Sequence, residues 1–207
     1  GVHVRVVREP GAQPEADLAV LHVDLTVVPR EYLDLAARYP RAINGRVGDI
    51  RKRVVSRSLV RPGDAYDGPV VVKTDLNSGG TRERRFDGKE AWLPRTLKRV
   101  FLGKWATRTP IHGVEYPIFD SPRDVPPAVW RNPALVVERF LAEREGSEFI
   151  LRTWVFLGDH HTHTKWWSSE PIVKSATARK REPLGEVPDE LWRRRREMGF
   201  DFGKFDY

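Results

Sequence analysis

A lysine at the end of an apolar run, followed by a loop of small residues, is the first place in this sequence where chemistry is expected. Residues 69–72 are rich in β-branched side chains and predict a buried strand. Lys73 ends this run, and Ser78, Gly79 and Gly80 close the loop that follows. Glycine lets backbone N–H groups approach phosphate oxygens closely, and lysine adds a point charge. Taken alone, such a stretch is more often a solvated turn, and a phosphate site is the interpretation that further residues have to support.

Further charged side chains lie within or at the ends of apolar segments. They are Glu138, Arg152, Lys174, Lys204 and Asp206. A charge inside a strand is costly to bury unless it has a partner or a ligand. Together with Lys73, these residues supply cations for phosphates, a carboxylate for a ribose and a carboxylate for a metal. This inventory fits a nucleoside triphosphate bound with magnesium.

The first part of the chain predicts the order strand, helix, strand, helix, which is typical of a small parallel α/β lobe. Residues 18–26 form the first predicted strand, a helix runs from Pro29 to Pro40, residues 42–44 form a short strand, and residues 49–60 form a second helix capped by Asp49. Residues 81–90 predict a polar hairpin or lid, residues 92–102 a helix, and residues 103–133 a surface connection rich in proline and glycine.

Two strongly apolar segments follow, at residues 134–141 and 149–158, and they are predicted to pair as a hairpin. His160, His161 and His163 come directly afterwards. Histidines this close together suggest a metal, but they lack a partnering carboxylate, so a polar turn is the preferred interpretation.

The net charge is +7, which raises the question of a nucleic-acid partner. The densest basic run, residues 193–196, lies at the end of a predicted helix over residues 188–198, with Asp189 and Glu190 in its first turn. The helix dipole favours this arrangement, so a solvated helix explains the run without a partner. A nucleic-acid partner is therefore the minor alternative for the function. Residues 171–174, before this helix, predict a short strand.

Composition limits the class of protein. A chain of 207 residues with 40% hydrophobic residues can bury a core as one domain or as two small lobes. The sequence has no cysteine, no apolar run of about 20 residues that would span a bilayer and no signal-peptide h-region at its start. A cytoplasmic protein without disulfides or a membrane anchor is predicted.

The order of these motifs resembles the ATP-grasp superfamily, whose members include carboxylate–amine and carboxylate–thiol ligases. The resemblance covers roughly residues 18–207. It implies an α/β (α+β) fold in which a small N-terminal parallel α/β lobe, residues 1–60, precedes mixed or antiparallel sheet lobes that enclose a nucleotide. Residues 61–134 would form the first ATP-grasp subdomain and residues 135–207 the second, ending before the last metal-binding strand.

The resemblance also implies roles for individual residues in binding ATP. Lys52 and Lys73 look like the two phosphate lysines, and Ser78, Gly79 and Gly80 look like part of the glycine-rich phosphate hairpin. The adenine-binding hinge would be Glu138, Arg139, Phe140 and Leu141, whose backbone groups read the base edge. Glu148 would bind the ribose, with Glu145 as the alternative.

Catalytic and metal-binding roles follow from the same resemblance. Arg152 and Lys174 match basic positions that face the phosphates. The C-terminal stretch GFDFGKFDY is the most specific match, and it makes Asp206 a Mg²⁺ ligand. The family carries a Glu/Asp-x-Asn motif on its next strand, so we expect the native chain to continue beyond Tyr207 with such a strand.

The function implied is that of an ATP-dependent ligase, in which a substrate carboxylate attacks the γ-phosphate and an amine or thiol displaces phosphate from the acylphosphate. The alternatives are a phosphotransferase acting on a hydroxyl, a nucleotide-binding module without turnover, and a basic nucleic-acid-binding domain. The expected partners are ATP, Mg²⁺, a small carboxylate and its nucleophile, with a homodimer as one possible assembly. Replacing Lys73 with alanine is expected to weaken ATP binding strongly with little loss of fold.

Overall fold

The computed structural model describes residues 1–87 and 116–207. They belong to two compact units. The terminal unit consists of Gly1–Val23, Val28–Gly48 and Ala142–Tyr207, and the central unit of Asp24–Val27 and Asp49–Leu141. Both units combine sheets with a few short helices, so the chain is a mixed α/β protein, as predicted. The division into three segments at residues 60 and 134 stays a prediction, and the helix predicted at residues 92–102 lies outside the described residues.

Ten strands and five helices follow one another in the described part of the chain. In chain order they are β1 (Ala19–Val20), α1 (Arg30–Ala36), β2 (Ala42–Ile43), α2 (Lys52–Val55), β3 (Val70–Thr74), α3 (Thr81–Phe86), β4 (Ile118–Phe119), α4 (Pro127–Trp130), β5 (Leu135–Arg139), β6 (Glu143–Glu145), β7 (Glu148–Leu157), β8 (His160–Ser168), β9 (Lys180–Pro183), α5 (Asp189–Met198) and β10 (Phe202–Asp206). Among these helices, none has the length and apolar character needed to cross a bilayer.

The small parallel pair predicted near the start of the chain is present. Strands β1 and β2 pair in parallel, and helix α1 connects them after Pro29. The first strand is much shorter than the predicted range 18–26, because Leu18 and Val20 remain exposed and only two residues pair.

Asn44, which directly follows β2, joins this pair to the C-terminal strand of the same unit. The side-chain oxygen of Asn44 accepts hydrogen bonds from the backbone N–H groups of Asp201 (2.8 Å) and Phe202 (3.1 Å). The backbone N–H of Asn44 donates to the Asp201 carboxylate (2.6 Å). Asn44 has a left-handed φ of 56°, a conformation that asparagine tolerates better than most residues.

The helix predicted over residues 49–60 with Asp49 as its cap is wrong except for the single turn Lys52–Val55, whose N-terminal flanking residue is Arg51. Helix α2 ends at Val55, and the chain then runs extended beside β5. Val60 donates its N–H to the Val137 carbonyl, and Arg139 donates to the Ser58 carbonyl. Burial of Val60 in the core of the central unit therefore prevails over the helical periodicity of this segment.

The central unit is built on the antiparallel sheet β4–β3–β5. Alternation along β3 sends Val70 and Val72 into the hydrophobic core, while Val71 and Lys73 lie on the opposite face. The predicted surface connection is wrong for its described part, because Val125 and Val129 join the same core. Two prolines start helix α4 there and turn Val129 inward.

The terminal unit contains the antiparallel sheet β10–β7–β8–β9, with β6 paired to the start of β7. Its core holds Trp154 and Phe156, packed against Trp192 of helix α5 and Phe205 of β10. The predicted hairpin between the two apolar segments is wrong, because β5 pairs with β3 whereas β7 pairs with β6, β8 and β10. The intervening polar stretch forms β6 itself and turns at Gly146, whose φ is 58°.

Two further predictions in the terminal unit are corrected. The three histidines lie on strand β8 and not in a polar turn. Residues 171–174 form no strand, because the Lys174 carbonyl accepts turn hydrogen bonds from the N–H groups of Thr177 and Ala178.

The predicted helix after Pro188 is confirmed as α5, and Gly199 ends it with a left-handed φ of 72°. Its basic run is not uniformly solvated. Arg195 is buried, and its guanidinium donates to the backbone carbonyls of Gly158 (2.8 Å), Phe200 (3.0 Å) and Asp201 (3.0 Å). Arg195 therefore ties the end of α5 to the ends of β7 and β10.

Candidate functional site

The candidate site lies in the central unit, on the face of the sheet opposite its hydrophobic core. Lys73 on β3 and Glu138 on β5 share this face, and their side chains form an ion pair of 2.7 Å. The Glu138 side chain is 8% exposed and that of Lys73 is 32% exposed. A carboxylate buried to this degree needs a cationic partner, and Lys73 provides it.

Lys52 approaches the same region from the one-turn helix α2. Its ammonium donates to the Leu76 carbonyl and to the Asn77 side-chain oxygen, both at 3.3 Å. Burial lowers the pKa of Lys52, the nearby Glu138 carboxylate opposes this change, and the Lys73 charge adds to it. The Asp75 and Glu83 carboxylates also oppose the lowering, so two ammonium groups and three carboxylates interact in this region.

The glycine loop predicted to bind phosphate is a tight turn at Asn77–Gly80. Ser78, Gly79 and Gly80 all adopt left-handed backbone angles, with φ of 48°, 66° and 69°. A side chain at Gly80 would also bring its Cβ within 2.9 Å of the Leu76 side chain. Successive backbone N–H groups in such turns form concavities that bind anions. The turn runs directly into helix α3, so the predicted hairpin at residues 81–90 is wrong for residues 81–86.

The turn is held by side chains that lie outside it. The Thr26 hydroxyl accepts a hydrogen bond from the Asn77 N–H (2.9 Å), and the Thr26 N–H donates to Glu83 Oε1 (2.7 Å). The Arg84 guanidinium donates to the Gly79 carbonyl (2.9 Å). The other oxygen of Glu83 is buried and has no hydrogen-bond partner among the described residues. Sequence reasoning missed Thr26 and Glu83, since no local pattern indicates contacts across such separations.

The predicted adenine hinge, Glu138–Leu141, begins within the last residues of β5. The Arg139 N–H donates to the Ser58 carbonyl (2.7 Å) and the Phe140 N–H to the Pro69 carbonyl (2.8 Å). The Arg139 guanidinium lies over the Tyr66 ring, 4.9 Å from its centroid, and Leu141 is 71% exposed. Two backbone donors of the hinge are therefore engaged in the sheet, and a base edge would have to meet other backbone groups of this stretch.

The remaining predicted residues belong to the terminal unit. Arg152 binds Glu143 through two hydrogen bonds, of 2.8 Å and 2.7 Å. This contact lowers the pKa of Glu143 and raises the pKa of Arg152. Lys174 lies in the turn that precedes β9, where its carbonyl accepts from Thr177 and Ala178.

The two candidate ribose carboxylates face each other across the pair β6–β7, where Glu145 is the register partner of Glu148. Glu145 forms an ion pair with Lys165 and accepts a hydrogen bond from the Trp167 indole (2.8 Å). These contacts lower the pKa of Glu145. Glu145 is therefore committed to neighbours on β8, and Glu148 stays the predicted ribose residue.

Asp206 on β10, the predicted Mg²⁺ ligand, has both carboxylate oxygens engaged. One forms an ion pair with Lys204 (2.8 Å) and the other accepts from the Thr153 hydroxyl (3.2 Å). Within residues 1–87 and 116–207, no group of three or more histidine, aspartate or glutamate side chains could hold a metal ion. These residues do not fit a magnesium site built by the protein alone.

No protein-family model matches this chain, and no curated protein or solved structure is significantly similar to it. Its function is therefore inferred from the site itself.

Proposed function

We propose that the protein binds ATP at Lys52, Lys73 and the turn Asn77–Gly80, and uses it to activate a carboxylate for ligation. The observation that carries this proposal is that two interacting ammonium groups, Lys52 and Lys73, lie close together and that Lys52 hydrogen-bonds to the left-handed turn. Lysine ammonium groups and backbone N–H groups are common protein ligands of phosphate. The Lys73 ammonium has three donors, so it can keep Glu138 while it binds an oxygen of the nucleotide.

In the proposed reaction, a carboxylate oxygen of the substrate attacks the γ-phosphorus of ATP. The new oxygen–phosphorus bond replaces the bond from the γ-phosphorus to the bridging oxygen, and ADP leaves with that oxygen. An amine or thiol then attacks the acyl carbon, loses its proton and releases inorganic phosphate. Lys52 and Lys73 would neutralise the phosphate charge and hold the groups in line. Arg152 and Lys174 are the further cations that the family resemblance assigns to this step.

A nucleotide-binding module without turnover is the second candidate. The observation that favours it is the engagement of both Asp206 oxygens by Lys204 and Thr153. A carboxylate held in this way has to give up a partner before it can bind a metal.

Calorimetric titration with ATP in the presence of magnesium tests the binding proposal. The wild-type protein should bind, and Lys52→Met and Lys73→Met should each lose a factor of about 10 to 100, as expected for one charge-assisted hydrogen bond. The matched control is Lys180→Met, which removes the same charge from an exposed pair with Glu182. If all four proteins bound ATP equally, the phosphate assignment would be rejected.

Release of ADP separates the possible reactions. The wild-type protein would be assayed with panels of small carboxylates, each alone and together with amines or thiols. ADP formation that depends on a carboxylate supports the ligase, and ADP formation that depends on a hydroxyl compound supports a phosphotransferase. Binding without ADP formation supports the module.

A further inference from the structure

Helix α2, which carries Lys52, is too short to set its own position. It spans only Lys52–Val55, and the side chain of its N-terminal flanking residue, Arg51, makes no capping hydrogen bond. A helix of one turn has little stability by itself, because ordering the first turn costs more free energy than its hydrogen bonds contribute. The direction in which Lys52 projects must therefore be fixed by groups outside the helix.

Asp75, two residues after Lys73, contacts α2 with both its backbone and its side chain. Its carbonyl accepts a hydrogen bond from the Lys52 N–H (3.1 Å). One carboxylate oxygen accepts from the Arg53 N–H (2.9 Å), and the other accepts from the Arg53 guanidinium (2.5 Å). The first two backbone N–H groups of the helix thus both donate hydrogen bonds to Asp75.

Asp75 is itself firmly placed directly after β3. It is 4% exposed, and its N–H donates to the Ala134 carbonyl (2.9 Å), which directly precedes β5. The Arg53 guanidinium also donates to the Pro133 carbonyl. A buried carboxylate whose oxygens are all satisfied is a rigid anchor, since any movement of α2 would leave it unpaired.

From this geometry we infer that Asp75 is a positioning residue for Lys52. It clamps α2 to the ends of β3 and β5, so that the Lys52 ammonium stays beside Asn77 at the start of the turn. This inference rests on the proposed function, because the position of Lys52 matters only if an anion binds there. Asp75 does not touch the nucleotide in this arrangement and acts through Lys52 alone.

A double-mutant cycle on ATP affinity tests the inference. Asp75→Ala should weaken ATP binding about tenfold, a loss comparable to that of one charged hydrogen bond. In a Lys52→Met background, the same substitution should cause no further loss. Asp75→Asn keeps an acceptor for the Arg53 N–H and should retain part of the affinity. The matched control is Asp67→Ala, which removes an exposed carboxylate of the same unit.

Each outcome decides one question. If the wild-type protein bound no ATP, the proposed function would be rejected, and the positioning role of Asp75 would be rejected with it. If the wild-type protein bound ATP and both Asp75 variants bound it equally well, the positioning role alone would be rejected. A loss of equal size in the Lys52→Met background would also reject it, because Asp75 would then act on the fold in general. If Asp75→Ala did not fold, Asp75→Asn with and without Lys52→Met would complete the cycle.

Discussion

Replacing Lys73 with methionine separates the structural role of this lysine from its role in binding. The substitution keeps most of the side-chain volume but leaves Glu138, whose side chain is 8% exposed, without its ion-pair partner. Removing one partner of a fully buried pair costs about 3–5 kcal/mol. Lys73 is itself about one-third exposed and the Lys52 charge remains nearby, so we expect a loss of about 2–3 kcal/mol, at or below the low end of that range. The expectation of little loss of fold on removing Lys73 is therefore revised.

Urea unfolding followed by circular dichroism measures this loss. With a slope of about 2 kcal/mol per molar urea, the midpoint should fall by about 1–1.5 M. The double variant Lys73→Met/Glu138→Leu should recover most of the stability, because an apolar pair can replace a buried ion pair. It should not recover ATP binding. A loss below about 0.5 kcal/mol for Lys73→Met would show that the pair behaves as a surface salt bridge, and the reasoning from burial would be refuted.

Three other perturbations give independent checks. The pKa of Lys52 is lowered, and only the ammonium form of its side chain binds phosphate. ATP affinity, measured by calorimetry, should therefore fall as the pH rises through this lowered pKa, at a lower pH than for an ordinary lysine. Lys52→Met should show no such step. Gly80→Ala should lower the unfolding free energy by about 1–2 kcal/mol because its φ is left-handed, whereas Gly185→Ala, at an open position, should be near neutral in the same urea experiment. Arg195→Met should cost about 1.5–3 kcal/mol, since three backbone carbonyls lose a charged donor. An unchanged melting temperature would contradict this.

The elements with strong local signals could be predicted from the sequence. The β-branched run of β3 and the capped helix α5 with Gly199 at its end follow from propensity and from helix-end chemistry. The predicted second helix is wrong beyond Val55. The apolar residues there fit helical spacing, but residues 58–60 pair with β5 and follow an extended path. Such pairing depends on residues far along the chain, which a local pattern does not contain.

The candidate site was predictable in part for the same reason. Lys73 and the small residues of the turn are adjacent in sequence, so their juxtaposition could be expected. That Glu138 would be the partner of Lys73 depends on the register of β3 against β5, and the anchoring roles of Thr26 and Asp75 depend on tertiary contacts. The sequence marks Glu138 as a charge within an apolar strand, but it does not reveal which cation is its structural partner.

The Asn44 hydrogen bonds have a consequence for the order in which the chain folds. They join residues that lie 157 and 158 positions apart in sequence, so they form only after Asp201 and Phe202 have left the ribosome. Strands β3 and β5 are complete long before that point, and their pairing closes a much shorter loop. We therefore expect β1, β2 and α1 to lack these contacts during synthesis while the central sheet assembles. We also expect the terminal unit to be the last part of the chain to become resistant to proteases.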